Sequence, residues 1–268
     1  NELSIIFKKM NINMNKIYSF TLAALTCLAA FSSATAQINY GGTPSFITET
    51  EELRNTRMTM PAFDREDIAA ADAVTDQIKE VPWRFGIENE VDYSPSTHGY
   101  WSVENGENVW RLSLTGDEAT AMSIRFSEFG LQKGQSLFIW SPETGDYIGK
   151  FDHRSVKDWG GLATGILTGS EIIIELHQAT QFGTTAPIKI DQVVYGYRSL
   201  LHHSEEVANE MRGPFGNSGA CNINVNCPEG APWATEKRSV ALIVEGGWAA
   251  CTGALINNTM NDGTPYFL

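Results

Sequence analysis

The chain has 268 residues, of which 42% are hydrophobic and 19% are charged, and its formal net charge is −13 at pH 7. This hydrophobic content supports a folded core and argues against a wholly disordered chain. The excess of acidic residues disfavours binding to nucleic acid and to anionic membranes, because both carry negative charge. The length allows one large domain or two ordinary ones.

Residues 1–36 have the parts of a secretory signal peptide. Basic residues precede an apolar run from Phe20 to Phe31, and the small residues Ala34 and Ala36 form a cleavage site. The apolar run is shorter than the roughly 20 residues that span a bilayer. We therefore predict cleavage between Ala36 and Gln37, a secreted product (extracellular, periplasmic or at the cell surface), and no membrane association after cleavage. A lipoprotein cut at Cys27 is the alternative.

Residues 37–82 are predicted to form a polar lead-in followed by one helix. The stretch from Gln37 to Pro61 is polar and irregular. Asp64 is a suitable N-cap for a helix that extends to Glu80, and Pro82 stops it. The apolar residues at helical spacing within this helix are Ile68, Ala71, Val74 and Ile78.

Residues 83–200 contain short segments in which apolar and polar side chains alternate. Between Trp110 and Thr115, the apolar residues fall on one face, and Arg111 and Ser113 fall on the other with Thr115. Alternation of this kind predicts strands with one buried face and one solvated face. Many short strands separated by turns indicate a mainly β chain, an antiparallel β-sandwich or jelly roll. Trp110 and Trp140 lie in apolar runs, which predicts that both pack in the core.

Residues 201–216 interrupt the strand pattern and are charged, then rich in Gly and Pro. We interpret them as an exposed connection between two domains, where a protease would find accessible backbone. This connection contains two adjacent histidines and two adjacent glutamates, His202, His203, Glu205 and Glu206. They lack the ligand spacing of a zinc site on a defined scaffold, so we predict no metal site and no cofactor.

Residues 217–268 form the start of a second domain. The runs from Ser239 to Glu245 and from Trp248 to Asn257 predict two strands, and a third begins at Thr264. Cys221, Cys227 and Cys251 are an odd number in an exported chain, so at least one requires a partner elsewhere. The chain begins with Asn1 and ends within a hydrophobic run. We interpret it as a fragment of a longer protein.

Two motifs carry a resemblance to a known family. The run Cys251-Thr252-Gly253-Ala254-Leu255-Ile256-Asn257-Asn258-Thr259 resembles the first β-barrel of trypsin-like serine endopeptidases. In those enzymes a C-x-G-x-L-I strand is followed by T-A-x-H-C, whose His is the general base. The segment Gly216–Gly230, with Cys221 and Cys227 at its centre, is similar to the mature N-terminus of bacterial lysyl endopeptidases.

This resemblance implies a secreted serine endopeptidase precursor that cleaves protein or peptide substrates, after Lys in that family. Its catalytic residues would follow Leu268, so no residue of this chain is assigned a catalytic role and the fragment is predicted to be inactive. Cys251 would pair with the Cys of T-A-x-H-C, and Cys221 and Cys227 with cysteines further on.

The same resemblance makes the region before Gly216 a propeptide that would hold the enzyme latent and help it fold. The family matures by cleavage after a basic residue, whereas Phe215 precedes Gly216 in this chain. Cleavage after Arg212, which gives a mature start at Gly213, is the alternative.

Two further hypotheses remain open. The sandwich could be a module that binds a glycan or a surface protein, with Trp101 and Trp159 on its binding face, since both lie in polar, Gly-rich surroundings. The protein could also be an inactive protease homologue that has kept the barrel and lost the triad.

Overall fold

The computed structural model describes residues 40–47, 49–78, 80–198, 228–257, 259 and 266–268, which lie in one compact unit. The chain is mainly β, as predicted from the alternating segments. Its helices and strands are α1 (Glu51–Asn55), β1 (Met58–Thr59), α2 (Arg65–Thr75), β2 (Trp83–Arg84), β3 (Gly86–Tyr93), β4 (Tyr100–Glu104), β5 (Glu107–Thr115), β6 (Ala121–Phe129), β7 (Gln135–Trp140), β8 (Tyr147–Phe151), β9 (Leu162–Ala163), β10 (Leu167–Thr168), β11 (Glu171–Ala179), β12 (Ile188–Gly196), β13 (Val240–Glu245), β14 (Trp248–Ile256) and β15 (Tyr266–Phe267).

Two sheets form the sandwich. The first sheet has the strand order β1-β5-β11-β7-β8, and β4 pairs with β5 beside β1. The second sheet has the order β10-β6-β12-β3, and β9 pairs with β6. All of these pairings are antiparallel except that of β1 with β5. Short turns can therefore join successive strands, as the turn residues in the sequence predict.

The main core lies between the two sheets. Trp110, Leu112 and Leu114 of β5 point into it from the first sheet, and Ile124 and Phe126 of β6 point into it from the second. All five side chains are buried, and burying each large apolar side chain contributes about 2 kcal/mol. The predicted core positions of Trp110 and Trp140 are confirmed, although Trp140 packs in a smaller cluster on the other side of the first sheet.

The prediction that one face of β5 is solvated is wrong, because the lead-in segment covers that face. Arg111 and Ser113 are both fully buried. Leu53 of α1 packs against this face beside Trp140, and the Phe46 ring meets the Trp140 ring edge-on at 5.5 Å. The stretch interpreted from sequence as irregular therefore contains a helix and the strand β1, and it adds a layer to the sandwich.

Helix α2 begins where the sequence predicts. Asp64 caps it by accepting hydrogen bonds from the backbone N–H groups of Glu66 and Asp67. The helix ends at Thr75, short of the predicted end at Glu80. Its predicted apolar face is also wrong, because Val74 is exposed and the one buried residue of the helix is Asp72.

A third sheet contains the C-terminal strands in the order β13-β14-β15, with β2 of the sandwich also paired to β14. Together with the two sandwich sheets it forms no closed barrel in the part of the chain that the structure describes. Among the described residues, no helix is both long enough and apolar enough to cross a membrane.

Candidate functional site

The C-terminal hairpin, residues Val240–Ile256, carries the motif that singled out this region in the sequence. Strands β13 and β14 pair antiparallel from Val240↔Ala254 to Glu245↔Trp248, with one irregularity in register. Gly246 forms the turn with a φ of +54°, a left-handed conformation that glycine adopts without steric cost. The hairpin therefore has the two strands that the sequence predicts, and Gly246 and Gly247 lie between them.

Much of the hairpin's apolar surface is exposed. The exposed side chains on β13, on β14 and in the C-terminal segment are Val240, Leu242, Ile243, Leu255, Ile256, Tyr266, Phe267 and Leu268. Large exposed apolar side chains in this number indicate a place where other protein packs.

The other edge of β14 receives a strand from the sandwich. Strand β2 pairs antiparallel with β14 through Arg84↔Trp248 and Trp83↔Ala249. The same two β14 residues pair with β13 on their opposite side, so β2 lies on the edge away from β13. We call this contact, between Trp83–Glu88 and Glu245–Ala249, the junction.

Backbone hydrogen bonds extend the junction past the end of β2. The N–H groups of Phe85 and Gly86 both donate to the Gly247 carbonyl oxygen, at 2.8 and 3.0 Å. A Cβ atom added at Gly247 would collide with the Gly86 carbonyl oxygen. The two backbones therefore approach as closely as they do because Gly247 lacks a side chain, whereas a Cβ atom at Gly86 would meet Tyr195 and Val194 of β12 instead.

Side chains bury the junction from both sides. Trp83, Phe85 and Val194 of the sandwich form a small buried cluster, and Val244 and Ala249 of the hairpin pack against it. This cluster is separate from the main core between the two sheets. It joins the hairpin to the sandwich through apolar contact as well as through the backbone.

Charged groups surround the same contact. The Glu88 carboxylate accepts hydrogen bonds from Gln192 Nε2 at 2.6 Å and from the Gly247 N–H at 3.4 Å. The Arg84 guanidinium lies 5.5 Å from the centre of the Trp248 ring, within range of a cation–π contact. A cleft of about 430 Å³ opens beside these groups.

Helix α2 fixes the position of Arg84 through Asp72. The buried Asp72 carboxylate pairs with Arg84 Nη2 at 2.7 Å and with the Arg198 guanidinium, and Tyr197 donates its hydroxyl to it at 2.6 Å. Burial raises the pKa of Tyr197 above its ordinary value, and the bond to Asp72 raises it further. The hydroxyl therefore stays protonated and acts as a donor.

A second buried charge cluster lies between the lead-in and the first sheet. Arg111 Nε donates to Glu175 Oε2 at 2.7 Å, and its Nη1 donates to Glu104 Oε1 at 2.5 Å. Ser45 donates to Glu175 through both its backbone N–H and its hydroxyl. His177 Nε2 lies 2.7 Å from Glu175 Oε1. The cluster thus ties the lead-in to strands β4, β5 and β11.

The carboxylates of this cluster remain ionised. Burial by itself would raise the pKa of Glu175, but hydrogen bonds from His177, Ser45 and Arg111 outweigh it and lower that pKa to about 2. The hydrogen bond from Arg111 lowers the pKa of Glu104 to about 2 as well.

This cluster does not form a nucleophilic triad. Ser45 and His177 each contact the Glu175 carboxylate, and among the hydrogen bonds of the described residues none joins the serine to the histidine. A triad requires the imidazole to take the serine proton, and Arg111 neutralises this carboxylate. The cluster holds segments of the fold together.

The predicted processing and disulfide residues fall mostly in segments about which the structure says nothing. Cys221 and Cys227, together with the expected cleavage sites, lie outside the described residues. These cleavage-site residues are Ala36, Gln37, Arg212, Gly213, Phe215 and Gly216. Cys251 is described. It is exposed on β14, and its Sγ lies 3.4 Å from the Thr252 carbonyl oxygen, so its predicted pairing stays a prediction.

The histidines and glutamates of the connection, His202, His203, Glu205 and Glu206, lie outside the described residues, so the expected absence of a metal site there stays a prediction. His153 lies 3.7 Å from Asp152, whose carboxylate instead pairs with Arg154 at 2.6 Å. Within the described part of the chain, no group of three or more potential metal ligands is assembled. The two tryptophans proposed for glycan binding differ in their surroundings. Trp159 is 77% exposed, whereas Trp101 packs against the main core and donates its indole N–H to the Pro95 carbonyl oxygen.

Sequence reasoning missed the junction altogether. Its strand β2 has two residues, which is too short for an alternating pattern, and Glu88 is one of several acidic residues along β3. The nearest signal in the sequence is Gly247, because a glycine of this kind permits close approach of another backbone.

The C-terminal region resembles a protease domain. Residues 215–268 match the family model described as lysyl endopeptidase, C-terminal domain. The match covers about a fifth of the chain and contains the whole hairpin. It relates this region to the lysyl endopeptidases, in agreement with the resemblance found in the sequence motifs.

Proposed function

We propose that this chain is the N-terminal part of a secreted serine endopeptidase precursor similar to the lysyl endopeptidases. The observation that carries the proposal is the family match over residues 215–268, which contains the strands β13, β14 and β15 of the third sheet. The sandwich is then the propeptide, and the hairpin is the first part of the catalytic domain.

The exposed apolar surface of the hairpin supports this division. Large apolar residues on β13, β14 and β15 face solvent, and a stable exported domain covers a surface of this kind. We propose that further catalytic-domain strands pack there and that they supply the His, Asp and Ser of the triad. Cys221, Cys227 and Cys251 would form disulfides with cysteines in the same part.

Maturation would separate the sandwich from the catalytic domain. The cut falls after Arg212 if processing follows the basic-residue preference of the family, or after Phe215 if another protease performs it. The mature enzyme would hydrolyse peptide bonds after Lys. Until the cut, the enzyme would be latent and bound to its own propeptide.

The test is secretion of the complete precursor, followed by activity and sequencing. The cleared medium is labelled with a fluorophosphonate probe, which reacts with activated serines, and is assayed on matched peptides with Lys, acetyl-Lys or Ala before the scissile bond. We expect labelling, preference for Lys, and a mature N-terminus at Gly213 or Gly216. The 268-residue chain serves as the inactive control.

Two results would overturn parts of the proposal. Failure of a folded, processed protein to react with the probe would identify an inactive homologue and refute the protease activity. Labelling with equal cleavage after Lys and Ala would refute the specificity and leave the serine endopeptidase.

A further inference from the structure

We propose that the propeptide binds the catalytic domain through residues Trp83–Glu88, which we call the gripping surface. The segment that this surface binds is the hairpin turn Glu245–Ala249. This inference rests on the proposed function and goes beyond it. It names the contact that keeps the two parts together after the connecting segment is cut.

Main-chain pairing makes the contact specific to this edge. Strand β2 adds to β14 as the fourth strand of the third sheet, a mode of recognition in which backbone hydrogen bonds provide affinity. The N–H groups of Phe85 and Gly86 converge on the Gly247 carbonyl oxygen. Strand β15 pairs with Leu255 and Ile256, further along β14. Ala254 pairs with Val240 on β13 and also exchanges backbone hydrogen bonds with Leu268, which follows β15. The propeptide therefore occupies the edge that β15 leaves unpaired.

The shape of the junction limits what can bind there. Gly247 has no room for a side chain, because an added Cβ would meet the Gly86 backbone. Its φ lies outside the left-handed range, so this dihedral angle does not require glycine, and the three atoms nearest to an added Cβ all belong to Gly86 of the propeptide. The neighbouring Gly246 needs glycine for the turn itself, and a Cβ atom there would also collide with the Glu88 carboxylate.

Side chains supply a second layer of recognition. Glu88 accepts from the Gly247 N–H while Gln192 orients its carboxylate. Arg84 faces the Trp248 ring and is itself held by Asp72 of α2. Contacts within the sandwich thus hold the Glu88 and Arg84 side chains in position, which reduces the conformational entropy lost when the hairpin binds.

The location of these residues explains why the contact would survive maturation. The gripping residues lie in 83–88 and their partners lie in 245–249, whereas the expected cuts lie between 212 and 216. Cleavage there breaks no pairing of the junction. The sandwich would then remain bound without a covalent link, held by the paired backbone and by Phe85 in its buried cluster.

The experiment cuts the folded chain and asks whether its parts stay together. A recognition site for a sequence-specific protease is inserted within residues 201–216 of the 268-residue chain, and the cut protein is analysed by size-exclusion chromatography at decreasing concentration. The variants are Glu88→Ala and Gly247→Ala. The matched control is Glu90→Ala, two residues along the same strand and also exposed.

We expect the cut wild type and the Glu90→Ala control to elute as one species. Loss of the Glu88 bond should raise the dissociation constant about fivefold, because a single partly exposed hydrogen bond is worth about 1 kcal/mol. Gly247→Ala should release the C-terminal piece. Equal retention of all four proteins, or separation of the wild type, would overturn the proposal.

Hydrogen exchange in the uncut chain provides a second readout if Gly247→Ala disturbs the hairpin. The amides of Phe85 and Gly86 should exchange slowly in the wild type and rapidly in the variant, while amides of β5 stay protected in both. Unchanged exchange at Phe85 and Gly86 would contradict the contact.

The two proposals fail separately. If the complete precursor shows no serine endopeptidase activity and the cut parts still bind through Glu88, the protease assignment fails and the gripping surface stands. If the precursor is an active protease and the cut parts separate regardless of sequence, the gripping surface alone fails.

Discussion

Replacing Glu175 with glutamine should remove the charge at the centre of the Arg111 cluster without changing its shape. Glu175 is fully buried and receives hydrogen bonds from Arg111, Ser45 and His177. Its pKa falls from the ordinary value of 4.5 to about 2 on folding, which corresponds to about 3 kcal/mol of folding stability. Glu175→Gln should therefore lower the free energy of unfolding at pH 7 by about 3 kcal/mol, within the range for breaking a buried ion pair.

The pH dependence of the free energy of unfolding provides a second measurement of the stability that Glu175 contributes. Because the pKa of Glu175 is lower in the folded protein, its stabilisation is complete above pH 4.5 and is lost as the pH falls from there toward 2. Urea unfolding followed by tryptophan fluorescence should show this loss in the wild type and a flatter profile in Glu175→Gln. Glu107→Gln is the control, since Glu107 is half-exposed and also faces His177. Parallel pH profiles for wild type and Glu175→Gln, or a loss below about 1 kcal/mol at pH 7, would refute the reasoning.

Three other substitutions test separate parts of the fold. Asp72→Asn should destabilise the chain by about 3 kcal/mol in urea, because it leaves two guanidinium groups without their buried partner; the exposed Asp67→Asn should change stability by less, and equal effects would contradict this. Leu112→Ala should cost about 3 kcal/mol through a cavity in the main core, and a melting temperature unchanged from the wild type would show that the site is not packed. Asp64→Ala should cost about 1 kcal/mol by removing the cap of α2, with a matching loss of helical circular dichroism; no loss would mean that the cap is dispensable.

The strands were predictable because their side chains alternate. Trp110, Leu112 and Leu114 face the core as that pattern requires. Alternation could not reveal that the opposite face of β5 is also buried, because that depends on the lead-in folding back over it. Arg111 is polar, and its burial becomes favourable only when Glu104 and Glu175 meet it from other strands.

Helix α2 illustrates the same limit. Its N-cap is a local feature, and Asp64 identifies it from the sequence alone. Its buried face depends on distant partners, because Asp72 is buried against Arg84 and Arg198. The apolar spacing of Ile68 and Val74 therefore indicated the wrong side of the helix.

The junction is the part of the structure that is hardest to predict from the sequence, because all of its contacts join distant segments. It joins segments more than 150 residues apart through backbone hydrogen bonds, a small apolar cluster and the Glu88 carboxylate, and none of these groups has a distinctive spacing in the sequence. The family resemblance, in contrast, depends on a local motif around Cys251, which the sequence displays directly.

The most direct measurement is the coding sequence that follows the codon for Leu268. The account predicts a T-A-x-H-C motif within a few residues, then an Asp, a G-x-S-G-G motif and three further cysteines. A stop codon at that position, or a continuing barrel without the His or the Ser, would contradict the proposal that this chain opens a serine endopeptidase.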